Sequence, residues 1–591
     1  MTRSQLRLLL ASVVAALALV VSACGGDDSD SGSSGSSGGG NAAQQETGAG
    51  KTGGVLKQLG GTDVDYLDPG HTYFTAGYQF AYATHRPLYS FKPDDAKDPV
   101  PDLAADKPQV SEDLKSVTVK IKPGVKFSPP VNREVTSKDV KYAFERFFSV
   151  NVGGQYPTYF SSIAGAPKTP TKGVKPISGI QTPDDQTIVF NLSRPEGVLI
   201  SSALVMPITA PVPEEYAKEF DAKNPSTYNT HVVATGPYMV KNDAKGTLTG
   251  YQAGKSIELV RNPNWDKSTD YKPAYLDGIQ ATTNDSNASV AAQQVLTGSH
   301  LSLDANPPAA QLRDAVTNRK GQFVQLPGGG FRYFPLNTTI KPLDDVNVRR
   351  AIVAAFDRDA ALKARGGKFT GDIPTHFLPP GIPGFEEAGG MAGPGFDFLK
   401  NPRGDMAVAA EYMKKAGFAS GKYEGNEELL LVTGNVDPIK SQAEVAKAQL
   451  EKLGFKIQFR TVPQDAMYTE WCQVPKKQVA ICGGAGWFKD FTDPQSMLDP
   501  TFKGANIFKE GGNNNLAQLD DPKIDAAMTK AAQLQGAERL KAWAEIDRMI
   551  TEQAPAVPFD WDKTTIIWSK DVNGVGNPYY DALDFTFTSF K

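Results

Sequence analysis

Apolar and polar residues alternate along several short stretches of this chain. Val117, Val119 and Ile121 alternate with polar neighbours before Pro123-Gly124, which predicts a strand and hairpin turn over 115–127. Thr136-Ser137-Lys138-Asp139 has the spacing of a helix start, with Val140, Phe144 and Phe147 falling on one helical face. A further strand is expected over 186–192. Downstream, 429–432 reads as an apolar strand and 441–453 as an amphipathic helix stopped at Gly454. Ile457, Phe459 and Thr461 then alternate in another strand. Strand–helix–strand is a βαβ unit, expected to be right-handed with parallel strands. A late helix is expected over 537–553, ended by Ala554-Pro555. Hairpins mixed with βαβ units argue for an α/β fold with mixed sheets.

The chain starts differently. Arg3 and Arg7 precede an apolar run from Leu8 to Val21. At about 14 residues it is short of the roughly 20 that span a bilayer, and it has the length and flanks of a signal-peptide core. It ends in Val21-Ser22-Ala23-Cys24-Gly25-Gly26, which resembles the bacterial lipobox, whose cysteine is lipidated and becomes the new N-terminus. Residues 1–23 are therefore expected to be a lipoprotein signal peptide. Residues 24–50, rich in Gly, Ser, Asp and Gln, are expected to be the lipidated Cys24 and a flexible tether that cannot bury enough apolar surface to fold. Gly35-Ser36-Ser37-Gly38-Gly39 fits G-x-S-x-G, but no strand or helix flanks it as a nucleophile elbow requires.

Composition narrows the function. Of 591 residues, 40% are hydrophobic and 22% charged, enough for a large core. Length alone allows about four domain-sized units. The net charge of −4 offers no general nucleic-acid surface. The five histidines are scattered without H-E-x-x-H, and the three cysteines form no cluster, so neither a metal site nor a cofactor is expected. With Cys24 lipidated, Cys472 and Cys482 remain as a pair outside the cell, where disulfides persist. The spacing does not fit the C-x-x-C of a redox or metal pair. A structural disulfide joining two strands across a short turn is expected.

Several segments, in order, resemble the family 5 extracellular solute-binding proteins, the dipeptide- and oligopeptide-binding components of ABC importers. They are Gly53-Gly54-Val55-Leu56 with Tyr66-Leu67-Asp68-Pro69; Pro99-Val100-Pro101-Asp102-Leu103-Ala104; Lys122-Pro123-Gly124-Val125-Lys126-Phe127; Thr235-Gly236-Pro237-Tyr238; Arg261-Asn262-Pro263-Asn264-Trp265; and Asp345-Val346-Asn347-Val348-Arg349-Arg350-Ala351 with Asp357-Arg358. The matches run from about residue 53 to 560. The family's F-x-D-G-x-P is missing, replaced by Phe127-Ser128-Pro129-Pro130-Val131. The resemblance implies a two-lobed, periplasmic-binding-protein-like (type II) α/β fold with a hinged cleft and an extra subdomain in the first lobe. Mapped here, the first lobe is 51–88, 200–328 and 556–591, the extra subdomain 89–199 and the second lobe 329–555.

Gly486-Trp487-Phe488-Lys489-Asp490-Phe491-Thr492-Asp493-Pro494 resembles a G-W-x-x-D-Y-x-x-P segment of peptide-binding members, in which the aspartate pairs with the ligand's α-ammonium. The resemblance gives Asp490 that role; a solvated loop aspartate or a turn cap beside Asp493-Pro494 is the plainer alternative. Gly486 and Trp487 belong to the same segment, with Trp487 as an apolar wall or simply a core residue. Tyr73 and Phe74 follow the Leu-Asp-Pro turn, which in the family reaches the cleft, and Arg332 enters the second lobe where it could meet a ligand carboxylate or stay solvated.

The function these features imply is a lipid-anchored, extracytoplasmic receptor, not an enzyme, that captures peptides and delivers them to an ABC permease, as a monomer on the bacterial cell membrane. Alternatives are the same fold binding an oligosaccharide, metal complex, opine or other amine, and a ligand-gated signalling lipoprotein.

Overall fold

A computed structural model describes residues 50–283, 287–509 and 512–591. The signal peptide, Cys24 and all of the tether but its last residue lie outside the described residues.

Two long strands organise the body. Phe323–Pro335 and Ala556–Ile567 run antiparallel, from Phe323 opposite Ile567 to Pro335 opposite Ala556. At one end, Val324, Leu326, Ile566 and Trp568 pack with Leu56, Ile257 and Ile279 in a first core. At the other end, Phe331, Tyr333 and Trp561 pack with Trp543, Met497 and Ile550 in a second. The register slips between Pro327 and Phe331, where Gly328-Gly329-Gly330 lies. Gly329 takes φ +57, and a side chain there would strike the Lys489 ammonium group. One strand pair thus serves these two cores, and through Phe334, Val557 and Phe559 a further one, with its regular pairing broken between the first and the others, the arrangement a hinge requires.

The first core lies against a six-stranded mixed sheet, in which Val55–Gly60 pairs in parallel with both Gly278–Thr282 and Leu301–Asp304. On the other side of the register break, the crossing strands carry Gly371–Asp372 at one edge and Ala485–Phe488 at the other. A three-stranded sheet follows the expected βαβ unit: Glu428–Gly434 and Lys456–Val462 are parallel, joined by the helix Ile439–Lys452. The late helix is Gly536–Glu552. A separate four-stranded sheet, in order Gln109–Val110, Ser116–Lys120, Thr187–Asn191 and Ile180–Asp184, packs with the helix Ser137–Phe147 around Val117, Phe144 and Phe190. That helix begins as its sequence predicts, with Thr136 and Asp139 closing a capping box.

Two expectations are corrected. Ser116–Lys120 is a strand, but Pro123-Gly124 does not turn it into a hairpin; its partners are Gln109–Val110 and Thr187–Asn191. Pro129 and Pro130, just beyond, have no N–H for a ladder. Cys472 and Cys482 are bonded, with Cα atoms 6.1 Å apart, but only Cys482 lies on a strand. Cys472 ends the helical segment Met467–Cys472. Trp471 beside it has Arg460 and Lys477 over its ring, at 4.5 and 5.0 Å from the centroid, so an apolar-looking residue faces cations rather than a sheet.

Under denaturing, non-reducing conditions a thiol reagent is expected to leave Cys472 and Cys482 unlabelled. Reduction is expected to lower unfolding stability by about 2–4 kcal/mol, measured in denaturant with and without reductant.

Candidate functional site

The strand Ala485–Phe488 ends its sheet, so one of its edges is unpaired by the sheet. Opposite it, Trp487 faces Phe331 and Gly486 faces Arg332. Alternation then sends Trp487 to one side of the sheet and Arg332 to the other. Trp487 is buried, donates its indole N–H to the Ser496 carbonyl at 2.8 Å, and meets Tyr156 edge-on at 5.7 Å between ring centroids. Two residues past the strand the chain places Asp490, only 4% exposed.

Asp490 is neither solvated nor a cap. The capping role falls to Asp493, which accepts the Gln495 N–H at 2.8 Å at the start of the helix Pro494–Phe502 and pairs with Arg539. Each carboxylate oxygen of Asp490 instead accepts a phenol, one from Tyr73 and one from Tyr159. Its backbone carbonyl accepts a third phenol, from Tyr579 at 2.7 Å. Phe491, fully buried, enters the core of the four-stranded sheet and meets Tyr159 at 5.0 Å. Burial pushes the Asp490 carboxyl up to about 6, with the Tyr159 and Tyr73 hydroxyls pulling it back down. Burial and Asp490's own charge hold both phenols well above their ordinary range, so they remain neutral donors.

Tyr73 is set in place by two carboxylates. Asp65 accepts its backbone N–H at 2.6 Å, the Thr72 hydroxyl at 2.7 Å and the Phe74 N–H at 3.0 Å. Asp68, in the Leu-Asp-Pro turn, takes both ends of the Arg146 guanidinium at 2.7 Å, and Arg146 also pairs with Asp221 at 2.7 Å. All three are buried, and removing one partner of such a pair costs about 3–5 kcal/mol.

The other candidates divide. Phe74 precedes the helix Thr75–Thr84 and is 59% exposed, its ring outside the cluster around Asp490. Arg332 is not solvated: its Nε donates to Asp562 at 2.8 Å, its guanidinium lies 4.6 Å from the Phe488 ring centroid, and Arg365 shares Asp562 at 2.8 Å. Gly486 leaves room for that guanidinium, since a Cβ there would come within 2.4 Å of it.

Sequence reasoning missed Tyr156, Tyr159 and Tyr579. The first two belong to Gly153-Gly154-Gln155-Tyr156-Pro157-Thr158-Tyr159, aromatics in a glycine-rich loop. Tyr156 takes φ +55, uncommon for a bulky residue and a mark of a constrained site. Beyond Tyr156 and Tyr159 opens a cavity of about 540 Å³, walled by residues 154–199 on one side and 473–514 on the other.

Asp490 is protonated in the folded chain and ionised in the unfolded one between its ordinary 3.8 and about 6, so its contribution to stability is lost as pH rises through that window. Asp490→Asn does not titrate. Relative to the native chain, its stability is expected to improve by on the order of 2 kcal/mol from about pH 4 to about pH 7, read from denaturant unfolding at each pH.

The family model "Bacterial extracellular solute-binding proteins, family 5 Middle" matches residues 98–509. Heme-binding protein A of Haemophilus influenzae is 26% identical over 495 residues, covering 80% of this chain and 82% of its own. A dipeptide-binding protein of Pseudomonas aeruginosa is 26% identical over 483 residues, covering 79% and 82%. Among solved structures, clavulanic acid biosynthesis oligopeptide binding protein 2 superposes with a TM-score of 0.79 at 25% identity, covering 93% of this chain and 96% of that one. Haemophilus influenzae OppA in complex with RPPGFSPFR superposes with a TM-score of 0.68 at 18% identity, covering 91% and 99%. The crossing strands and the two cores they join are therefore those of a two-lobed binding protein, and the chain belongs to the bacterial extracellular solute-binding proteins of family 5.

Proposed function

We propose that this chain captures peptides by their free amino terminus in the cleft between its lobes and delivers them to an ABC permease. The observation that carries this reading is Asp490, a buried carboxylate at the end of an edge strand, held by neutral donors alone. A carboxylate offers about four lone-pair sites, and two phenols use two of them, leaving acceptor capacity for an ammonium. The contact is stronger in a dry cleft than in water. The edge of Ala485–Phe488 left unpaired by the sheet, where Gly486 already hydrogen-bonds to Tyr468, supplies the remaining backbone groups that a peptide main chain can match, while Trp487 and Tyr156 bound the same region with apolar surface. The names of relatives support the ligand class: dipeptide-binding and oligopeptide-binding proteins recur among them.

The lobes follow the mapping from the resemblance: 51–88, 200–328 and 556–591 for the first, 89–199 for the extra subdomain, and 329–555 for the second. Cys24 carries the lipid that holds the body on the outer face of the cell membrane, with 24–50 as tether.

Calorimetry on the purified chain, stripped of ligand by unfolding and refolding, tests the ligand reading against di- to octapeptides, their N-acetylated forms, oligosaccharides and metal complexes. Free-amine peptides are expected to bind. Acetylation or Asp490→Asn is expected to weaken them tenfold or more, about 1.4 kcal/mol. Lowering the pH one unit below about 6 protonates Asp490 and is expected to weaken them about tenfold. A sugar or metal complex binding where peptides do not would overturn the peptide reading and leave the fold untouched. For the anchor, Cys24→Ala is expected to move the protein out of the membrane fraction, and unchanged membrane association would refute it.

A further inference from the structure

We infer that a cradle of oxygen atoms at the carboxyl ends of three parallel strands, built around Asp304, Gln58 and Thr283, binds a bare sodium ion. The inference is independent of the Asp490 reading.

The strand Val55–Gly60 lies between Leu301–Asp304 and Gly278–Thr282 and runs parallel to both, so all three end on the same side of their sheet. In the register Gly60 stands beside Asp304, and Leu59 beside Thr282. Loops part where parallel strands end and leave a crevice. Gly60 has no side chain to fill it. A Cβ there would lie 3.4 Å from the carbonyl oxygens of Thr282 and Thr62, and 3.8 Å from Asp304 Oδ2. Gln58 and Thr283 line the same crevice, and Phe80 and Ala281 close it with apolar surface.

Three of these groups lack the partners that burial demands. Gln58 is 1% exposed, and a chain of amides orients it. Gln79 donates its Nε2–H to the Leu583 carbonyl at 2.8 Å, so its Oε1 is the acceptor that Gln58 meets with Nε2 at 2.9 Å. Gln58 Oε1 is thereby turned away from Gln79, and it accepts no hydrogen bond. The hydroxyl of Thr283, also buried, makes none either. Asp304 makes no side-chain hydrogen bond or ion pair among the described residues, and burial alone pushes its carboxyl up to about 6. Buried acceptors left unmet are rare in native folds and call for a ligand.

The ligand's chemistry follows from size and charge. Every group in the cradle presents oxygen, which suits a hard cation. No water-sized sphere fits between them, so the ion sits there without its hydration shell. Magnesium gives up its waters reluctantly, and potassium is as large as a water molecule. Calcium has sodium's size, but one carboxylate balances one charge, and a second buried charge would stay unmet. Sodium satisfies both conditions. The ion would tie the sheet to the loop that leaves it, on which Asp65, three residues after Thr62, holds the Tyr73 backbone.

The test is denaturant unfolding of the full chain at pH about 8, where Asp304 is ionised. Choline replaces sodium at constant ionic strength, so that screening is unchanged. Raising sodium from about 30 to about 300 mM is expected to raise the folding equilibrium constant several-fold, up to about tenfold at saturation. The same change in potassium or calcium is expected to raise it less than about twofold. Asp304→Asn removes the charge. Gly60→Ala fills the cradle without removing an oxygen, at a backbone conformation open to any residue. Each is expected to cut the sodium effect below about twofold, and a folding defect in one leaves the other to decide. Equal responses of the native chain to sodium, potassium and choline overturn the site, as does a sodium response that persists in the variants. A response to calcium in place of sodium overturns the assignment of the ion and the inference with it.

Discussion

Two antiparallel strands, Phe323–Pro335 and Ala556–Ile567, carry the constraint on which the body depends, because each contributes side chains to separate cores on either side of the break. Strand pairing stiffens the crossing, and its register shifts at Gly328-Gly329-Gly330 and again between Arg332 and Tyr333, the glycines giving it a place to bend. The edge strand Ala485–Phe488 is hydrogen-bonded to the crossing strand just past that break, from Gly330 onward. Lys489 donates its backbone N–H to Gly329 at 3.2 Å and its ammonium to Gly328 at 3.3 Å. Asp490 is the next residue. With the lobes as proposed, a bend at the glycines would move Asp490 relative to Tyr73 and Tyr159, whose positions are fixed from the other side by Asp65, by the Arg146 pairs and by the core around Phe144.

Burial of Asp490 opposes stability, and the surrounding groups show how the fold tolerates it. A carboxylate in an apolar setting costs several kcal/mol unless hydrogen bonds or charges compensate. Here compensation is partial: two phenols donate to the carboxylate, and burial still prevails and pushes the carboxyl up to about 6. Arg146 is the contrasting case. It too is fully buried, but two aspartates balance it at 2.7 Å and hold it as a charge. One group is balanced by two opposite charges and the other has none, the contrast on which its proposed binding role rests.

Local patterns were legible where local physics decides. The capping box at Thr136 and Asp139, the βαβ unit over 428–462 and the helix over 536–552 all depend on neighbours within one or two turns or on simple alternation. The hairpin at 115–127 was misread because the strand pairs with Gln109–Val110 before it and with the distant Thr187–Asn191, not with the segment after Pro123-Gly124; alternation marks a strand without naming its mate. Asp490 was reachable through the motif around it. Tyr156, Tyr159 and Tyr579 were not, since they come from segments 331 residues upstream and 89 downstream of it, and only folding makes them neighbours. Arg332 shows what position along the chain leaves out: strand alternation turns it to the face where Asp562, which it shares with Arg365, accepts its Nε.

If Asp490 receives a ligand's ammonium as proposed, the choice of tyrosine around it follows from what the site has to discriminate. An arginine or lysine there would neutralise the carboxylate, lower its pKa and compete directly with an incoming ammonium. Phenols satisfy part of its hydrogen-bonding capacity, fix its orientation and leave its charge intact. The nearest cation in sequence, Lys489, is drawn away by the Gly328 carbonyl and by Asp581 at 3.7 Å. Neutral solutes can donate hydrogen bonds to Asp490, but they bring no charge to offset its burial, whereas an ammonium does both. Under the proposed function, the selectivity of the site for a cationic group thus lies in the charge its neighbours leave uncompensated.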